Sequence, residues 1–168
     1  AELTRDDDGG DGLDARTQFN LPTTGEYRVH VRGYAGGTGR YQLVMRNLTP
    51  STGKLGAGAG WVSADQWASF DNSVPTLSDG AHYRDYRIRL DAGQDVVVHM
   101  ESDAFDSLLA IYSASDTATA LATNDDANGL DSALLFRAPH SGEYLIRATQ
   151  LGHGDGQYRL RVSRLTPY

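Results

Sequence analysis

The sequence repeats itself at an offset of 117 residues. Residues 12–50 align without gaps with residues 129–167, and 15 of the 39 positions are identical. Chance alone would give about two or three identities at average residue usage. Phe19 matches Phe136, Pro22 matches Pro139, and Tyr41 matches Tyr158. Gly25-Glu26-Tyr27 matches Gly142-Glu143-Tyr144, and Leu48-Thr49-Pro50 matches Leu165-Thr166-Pro167. A long period of this kind means one folding unit used more than once. The second copy runs from about residue 51 to 167, so the first lacks the counterpart of its opening 67 residues. Half a unit leaves apolar faces bare and strand edges unpaired. Residues 1–50 are therefore expected to have been cut from a longer chain or to be completed by a second chain.

Within the repeat, apolar residues alternate with period two, the pattern of half-buried strands. Tyr86, Ile88 and Leu90 alternate with Arg87 and Arg89. Val96, Val98 and Met100 alternate with Val97 and His99. Ser107 to Tyr112 is nearly continuous in apolar residues, as for a strand covered on both faces. Leu134 with Phe136, Tyr144 with Ile146 and Ala148, and Tyr158 with Leu160 and Val162 complete the set. The first copy offers only the last three strands: Thr17, Phe19 and Leu21; Tyr27, Val29 and Val31; Tyr41, Leu43 and Met45. Turns lie between them, at Asp91-Ala92-Gly93-Gln94, at Pro139-His140-Ser141-Gly142 and at Pro22-Thr23-Thr24-Gly25, each ready to place a glycine at positive φ. No segment sustains a helical period. The expected fold is all-β, a jelly-roll-like antiparallel β-sandwich over 68–168. A partial sandwich of about three strands precedes it over 1–50. Residues 51–67 join the two as a Gly/Ala/Ser-rich linker and lead-in. Trp61 and Trp67 are expected to pack there, or else to form an exposed aromatic platform.

A net charge of −7 argues against nucleic acid, because phosphate binding draws on a surplus of Lys and Arg. It leaves room for cations. With no cysteine, disulfides, thiolate metal sites and cysteine nucleophiles are excluded. No run of 18 apolar residues is present, so no helical membrane span is expected.

The most chemically suggestive segment is acidic. Asn124, Asp126, Asn128 and Asp131, with Gly129 between the last two, place oxygen ligands at alternate positions ahead of a sharp turn. That resembles the first half of a calcium loop. Asp125 sits within it. Leu135 stands where the bidentate acid of such a loop would be, so further oxygens must come from elsewhere, with Asp103 and Asp106 as donors. In the first copy the corresponding acids are Asp7, Asp11 and Asp14, with Asp8 beside Gly9. The alternative is a solvated turn whose Asx side chains bond their own backbone. The tyrosines Tyr83, Tyr86, Tyr112, Tyr144 and Tyr158 are expected in the core with hydroxyls at its rim, or as a ligand-binding strip. The five histidines show no metal-pair spacing. No Gly-x-Ser-x-Gly elbow, His-Glu-x-x-His pair or phosphate loop is present, and no enzyme activity is expected.

In order along the chain stand Gly80-Ala81-His82-Tyr83-Arg84-Asp85-Tyr86, Leu90-Asp91-Ala92-Gly93-Gln94, Ser102-Asp103-Ala104-Phe105-Asp106, Leu108-Leu109-Ala110-Ile111-Tyr112, Asn124-Asp125-Asp126, Leu130-Asp131-Ser132 and Gly142-Glu143-Tyr144. This succession resembles the bacterial pre-peptidase C-terminal domain, in full over about 69–165 and as its second half over about 3–48. One departure is visible: the first acid of the Asp-Phe-Asp-like motif is shifted to Asp103. The resemblance implies a jelly-roll-like sandwich in a secreted or cell-envelope bacterial protein. It further implies a non-catalytic accessory domain of a secreted hydrolase, a peptidase in particular, aiding secretion, stability or substrate attachment. The partner would then be the parent hydrolase's catalytic domain. The other roles open to the chain are a calcium-dependent module for polysaccharide or fibrous protein, and a spacer that pairs by strand exchange.

Overall fold

The computed structural model describes residues 3–6, 15, 17, 23–45, 55, 60–127 and 129–165. The chain divides into two compact units, Ala1–Arg46 and Asn47–Tyr168.

Among the described residues, the second unit is a β-sandwich of eight strands. They are β1 (Asp65–Phe70), β2 (Arg84–Leu90), β3 (Asp95–Glu101), β4 (Asp106–Ser113), β5 (Ala122–Asn124), β6 (Ser132–Arg137), β7 (Gly142–Leu151) and β8 (Gly156–Leu165). One sheet has the order β1-β8-β3-β6 and the other β2-β7-β4-β5, with every pairing antiparallel. The chain crosses repeatedly from one sheet to the other, which is the jelly-roll arrangement.

The inward rows are those set by the alternation. Ile88 and Leu90 on β2, Val96, Val98 and Met100 on β3, Leu109 and Ile111 on β4, Ile146 and Ala148 on β7, and Leu160 and Val162 on β8 are all fully buried. Together with Phe70, Phe105 and Tyr158, whose rings lie against one another, they form one continuous core. β4 lies inside its sheet, and Ala110, on its outward row, is buried as well. Val97 is likewise buried although it alternates with the inward row of β3.

Two polar links cross between the sheets inside this core. The Tyr86 and Tyr158 hydroxyls hydrogen-bond at 2.6 Å. The buried Ser107 and Ser132 hydroxyls meet at 2.9 Å, and the Ser132 N–H donates to Ser107 Oγ at 2.8 Å. Buried hydroxyls are tolerated because they are paired in this way.

Several local expectations are revised. Gly93 has φ +76° and closes its turn as anticipated, but Gly142 is not at positive φ; it opens β7 opposite Leu90. Leu55 and Val62, in the segment read as a linker, are buried in the core, and β1 begins at Asp65. Trp67 is exposed on the edge strand β1, with the Arg159 guanidinium over its ring, while Trp61 is partly buried and bridges to Arg87.

In the first unit, the described residues 23–45 hold one 3-10 turn, Tyr34–Gly36, and no strand. The strands expected around Tyr27 to Val31 and Tyr41 to Met45 are thus not paired there. A strand is stable only when neighbours take up its N–H and C=O groups, and the described part of this unit supplies no such neighbours. The strand expected around Thr17, Phe19 and Leu21 falls largely outside the described residues. One local feature matches the second unit closely. The Tyr27 hydroxyl donates to the Thr23 carbonyl at 2.6 Å and accepts from the Thr23 N–H at 3.4 Å. The Tyr144 hydroxyl makes the same two contacts with His140, at the same distances.

Candidate functional site

Two regions of the sandwich carry chemistry: one end, where the acidic loop lies, and the outer face of the β2-β7-β4-β5 sheet.

The acidic loop connects β5 to β6 and so passes from one sheet to the other. Its ends are pinned by its own side chains. Asn124 Oδ1 accepts the Ala133 N–H at 3.0 Å, and Asp131 Oδ1 accepts the Ser102 N–H at 3.1 Å. The Ala127 N–H donates to the Asp131 carbonyl at 2.8 Å, and Gly129, at φ +65°, takes the left-handed conformation the turn requires. This is the behaviour of an Asx-rich turn. Asp103 and Asp126 are exposed, and Asp125 and Asp131 are partly buried. Asn128, Asp7, Asp8, Asp11 and Asp14 lie outside the described residues. Among the described residues, no group of three or more carboxylates and histidines is gathered as a metal cage.

Asp106, at the start of β4, differs from the other acids. Its Oδ1 is buried and has no hydrogen-bond partner. Other buried side-chain atoms without partners include both polar atoms of Gln150 and the Nδ1 of His82. Gln150 lies opposite Ser107 in the β4–β7 register, next to the Asp106–Leu151 pair. The His82 carbonyl accepts the Thr149 hydroxyl at 2.8 Å, and His82 Nε2 stands 3.1 Å from Asp155 Oδ1. Each buried polar atom left unpaired costs about 1–3 kcal/mol, though these residues are not gathered as a metal cage. Of these residues only Asp106 was singled out from sequence, because burial of an isolated polar side chain depends on the packing around it and not on its spacing.

The second region is built by register. Asp85 on β2 lies directly opposite Arg147 on β7. The Arg147 Nε and Nη2 groups donate to the two Asp85 carboxylate oxygens, each at 2.8 Å. The guanidinium also lies over the rings of Tyr83 and Tyr112, 4.5 and 4.9 Å from their centroids. The bond to Asp85 raises the Arg147 pKa above its ordinary value, and the planar fork satisfies carboxylate and rings together. The result is a platform of two partly exposed tyrosines around a largely covered guanidinium, on an outer sheet face. The expected tyrosine set therefore divides. Tyr144 and Tyr158 are in the core, and Tyr86 reaches into it, whereas Tyr83 and Tyr112 flank Arg147. Arg147 itself was missed from sequence.

No helix among the described residues is long and apolar enough to cross a membrane. No family model and no curated protein matches the chain. Among solved structures, the pre-peptidase C-terminal domain of a collagenase from Bacillus anthracis is similar at 19% identity and a TM-score of 0.47, covering 70% of this chain and 99% of that one. PliG from Aeromonas hydrophila, a periplasmic lysozyme inhibitor of g-type lysozyme, is similar at 21% identity and a TM-score of 0.48, covering 68% and 96%. The PliG of Salmonella Typhimurium is similar at 15% identity and a TM-score of 0.40, covering 60% and 88%.

Proposed function

We propose that this chain is a non-catalytic accessory module of a secreted bacterial hydrolase, a peptidase by its sequence resemblance, and that it attaches the enzyme to its substrate. The observation that carries this reading is the platform of Tyr83, Arg147 and Tyr112 on a sheet face. Two partly exposed tyrosine rings, held in place by the guanidinium that contacts both, present aromatic area at little entropic cost, a property of docking surfaces for extended polymers. Fibrous protein is the ligand class favoured by a peptidase parent, with polysaccharide the rival. The test is co-sedimentation of the full chain with insoluble collagen, chitin and cellulose. Retention on collagen supports the reading, retention only on a glycan redirects it to polysaccharide, and uniform failure removes attachment to these polymers as the function.

A second reading concerns calcium. The buried Asp106 Oδ1 without a partner, at the same end as the Asn124–Asp131 loop, supports a cation site there. Asp106 would supply one ligand, and the second carboxylate oxygen of Asp131 another, since Asp131 commits only Oδ1 to the backbone. Calcium would act as a brace between the sheets. Calorimetry and thermal unfolding in millimolar calcium test this reading, and it fails if neither trace changes.

A further inference from the structure

We propose that β1 is a self-association edge, along which two copies of this chain pair antiparallel with Trp67 of one opposite Trp67 of the other. The proposal is independent of the attachment role, because β1 belongs to the other sheet. The two sheets end in β1, β6, β2 and β5. Main-chain groups along such an edge invite pairing unless something covers them. At β2 the segment before β1 does so: the Val62 N–H donates to the Arg87 carbonyl at 3.0 Å, and the Arg87 N–H to the Gly60 carbonyl at 2.7 Å. β5 is only three residues long. On β6 the Ala133 N–H is taken by Asn124 Oδ1 at 3.0 Å.

β1 is open at its centre. The Val162 N–H donates to the Ala64 carbonyl at 2.8 Å. Alternation then turns the main-chain groups of Gln66, Ala68 and Phe70 toward β8, and those of Asp65, Trp67 and Ser69 toward the free edge. Arg84 Nε caps the Ser69 carbonyl at 3.1 Å. Among the described residues, nothing bonds the outward N–H and carbonyl of Trp67, and the residue is 67% exposed. Its indole is held ready for contact: the Arg159 guanidinium lies 5.8 Å from the ring centroid and forks onto Asp65 at 2.8 and 2.6 Å. Tryptophans of this kind dominate binding energies at interfaces. The order Asp65, Trp67, Ser69 on one face fits a second copy of itself. A two-fold axis at Trp67 stacks the two indoles as a cross-strand pair and sets Asp65 of each copy opposite Ser69 of the other. An axis at Asp65 would put two carboxylates face to face, and one at Ser69 would crowd two Arg84 side chains. Pairing at Trp67 joins two four-stranded sheets into one continuous sheet, and no strand leaves its own sandwich.

One strand pair and two indoles make a small interface, so the dissociation constant is expected near about 100 μM. The test follows the full chain by light scattering and amide hydrogen exchange from about 10 μM to about 1 mM, on either side of that value. The mass should rise toward that of a dimer. Exchange at the outward amides of Asp65, Trp67 and Ser69 should slow about fivefold, while Gln66 and Ala68, already bonded to β8, change little. Trp67→Lys, an edge lysine at an exposed position, should keep the chain monomeric and leave the amides of β4 and β7 as they were. Leu121→Lys, at an exposed leucine outside β1, should pair like the parent. A monomer mass with unchanged exchange at Trp67 up to about 1 mM overturns the proposal. So does association that persists in Trp67→Lys, which would place the contact on another surface.

Discussion

The hydroxyl of Tyr86 on β2 meets that of Tyr158 on β8 at 2.6 Å, so one hydrogen bond ties the two sheets through the apolar core. Tyr158 has no exposure at all. Tyr86→Phe should therefore leave a buried hydroxyl unpaired and cost about 1–3 kcal/mol. The double variant with Tyr158→Phe should cost less than the two single changes summed, because it leaves no orphan. Urea unfolding of the four proteins measures the coupling, and strict additivity would show that the bond contributes nothing specific.

Burial raises the pKa of both hydroxyls above the ordinary tyrosine value, that of Tyr158 the more strongly. These tyrosines ionise near pH 10 in the unfolded chain but stay protonated in the fold. Their contribution is complete below pH 10 and lost as pH rises beyond it. The midpoint of urea unfolding should fall between pH 9.5 and about 11, with a shallower slope in Tyr158→Phe.

Arg147→Lys keeps the charge but loses the second bond to Asp85 and the ring contacts. We expect destabilisation by about 1–2 kcal/mol, little altered by salt because the pair is partly buried. The Arg159–Asp65 pair has the same fork, but it joins β8 to the edge strand β1 in the open. Arg159→Lys should leave the unfolding midpoint unchanged within error.

His99, on β3 opposite Arg161, is held down to about 4, first by burial and then by the Arg161 charge. In the unfolded chain its pKa is near 6.5, so between these values the unfolded state binds more protons. Stability should then fall as pH drops from about 6.5 to about 4, by up to about 3 kcal/mol. His99→Gln should flatten this slope in chemical unfolding at pH 7, 5.5 and 4.5. An unaltered slope would place the acid sensitivity elsewhere.

Asp106→Asn separates the calcium reading from a merely structural acid. Without calcium, removing a charge from a buried unpaired oxygen should leave stability unchanged or raise it. With calcium at a hundred times its dissociation constant, the parent chain should gain about 2.7 kcal/mol and the variant little. Equal calcium responses would exclude Asp106 as a ligand.

Much of the fold was legible because alternation survives wherever one face of a strand is buried. Tyr86, Ile88 and Leu90 on β2 and Tyr158, Leu160 and Val162 on β8 are plain examples. β1 escaped because its inward row is Gln66, Ala68 and Phe70 while Trp67 points out, so the apolar period is blurred. β5 escaped because three residues cannot display a period. The acidic loop could be located from spacing, but which of its oxygens the backbone takes up depends on Ala133 and Ser102, and the latter lies across the fold. The platform was illegible for a related reason. Asp85 and Arg147 are 62 residues apart, and only the β2–β7 register sets them face to face.

The attachment reading is tested most directly by an adsorption isotherm on insoluble collagen for the parent chain, the double variant Tyr83→Ala/Tyr112→Ala, and Tyr86→Phe. The two alanines strip the rings from the outer face, and Tyr86→Phe alters a core tyrosine while leaving that face intact. The account predicts at least about a tenfold loss of affinity for the double variant, the size of one or two lost aromatic contacts, and none for Tyr86→Phe. Equal adsorption by all three proteins, or a loss confined to Tyr86→Phe, would contradict it.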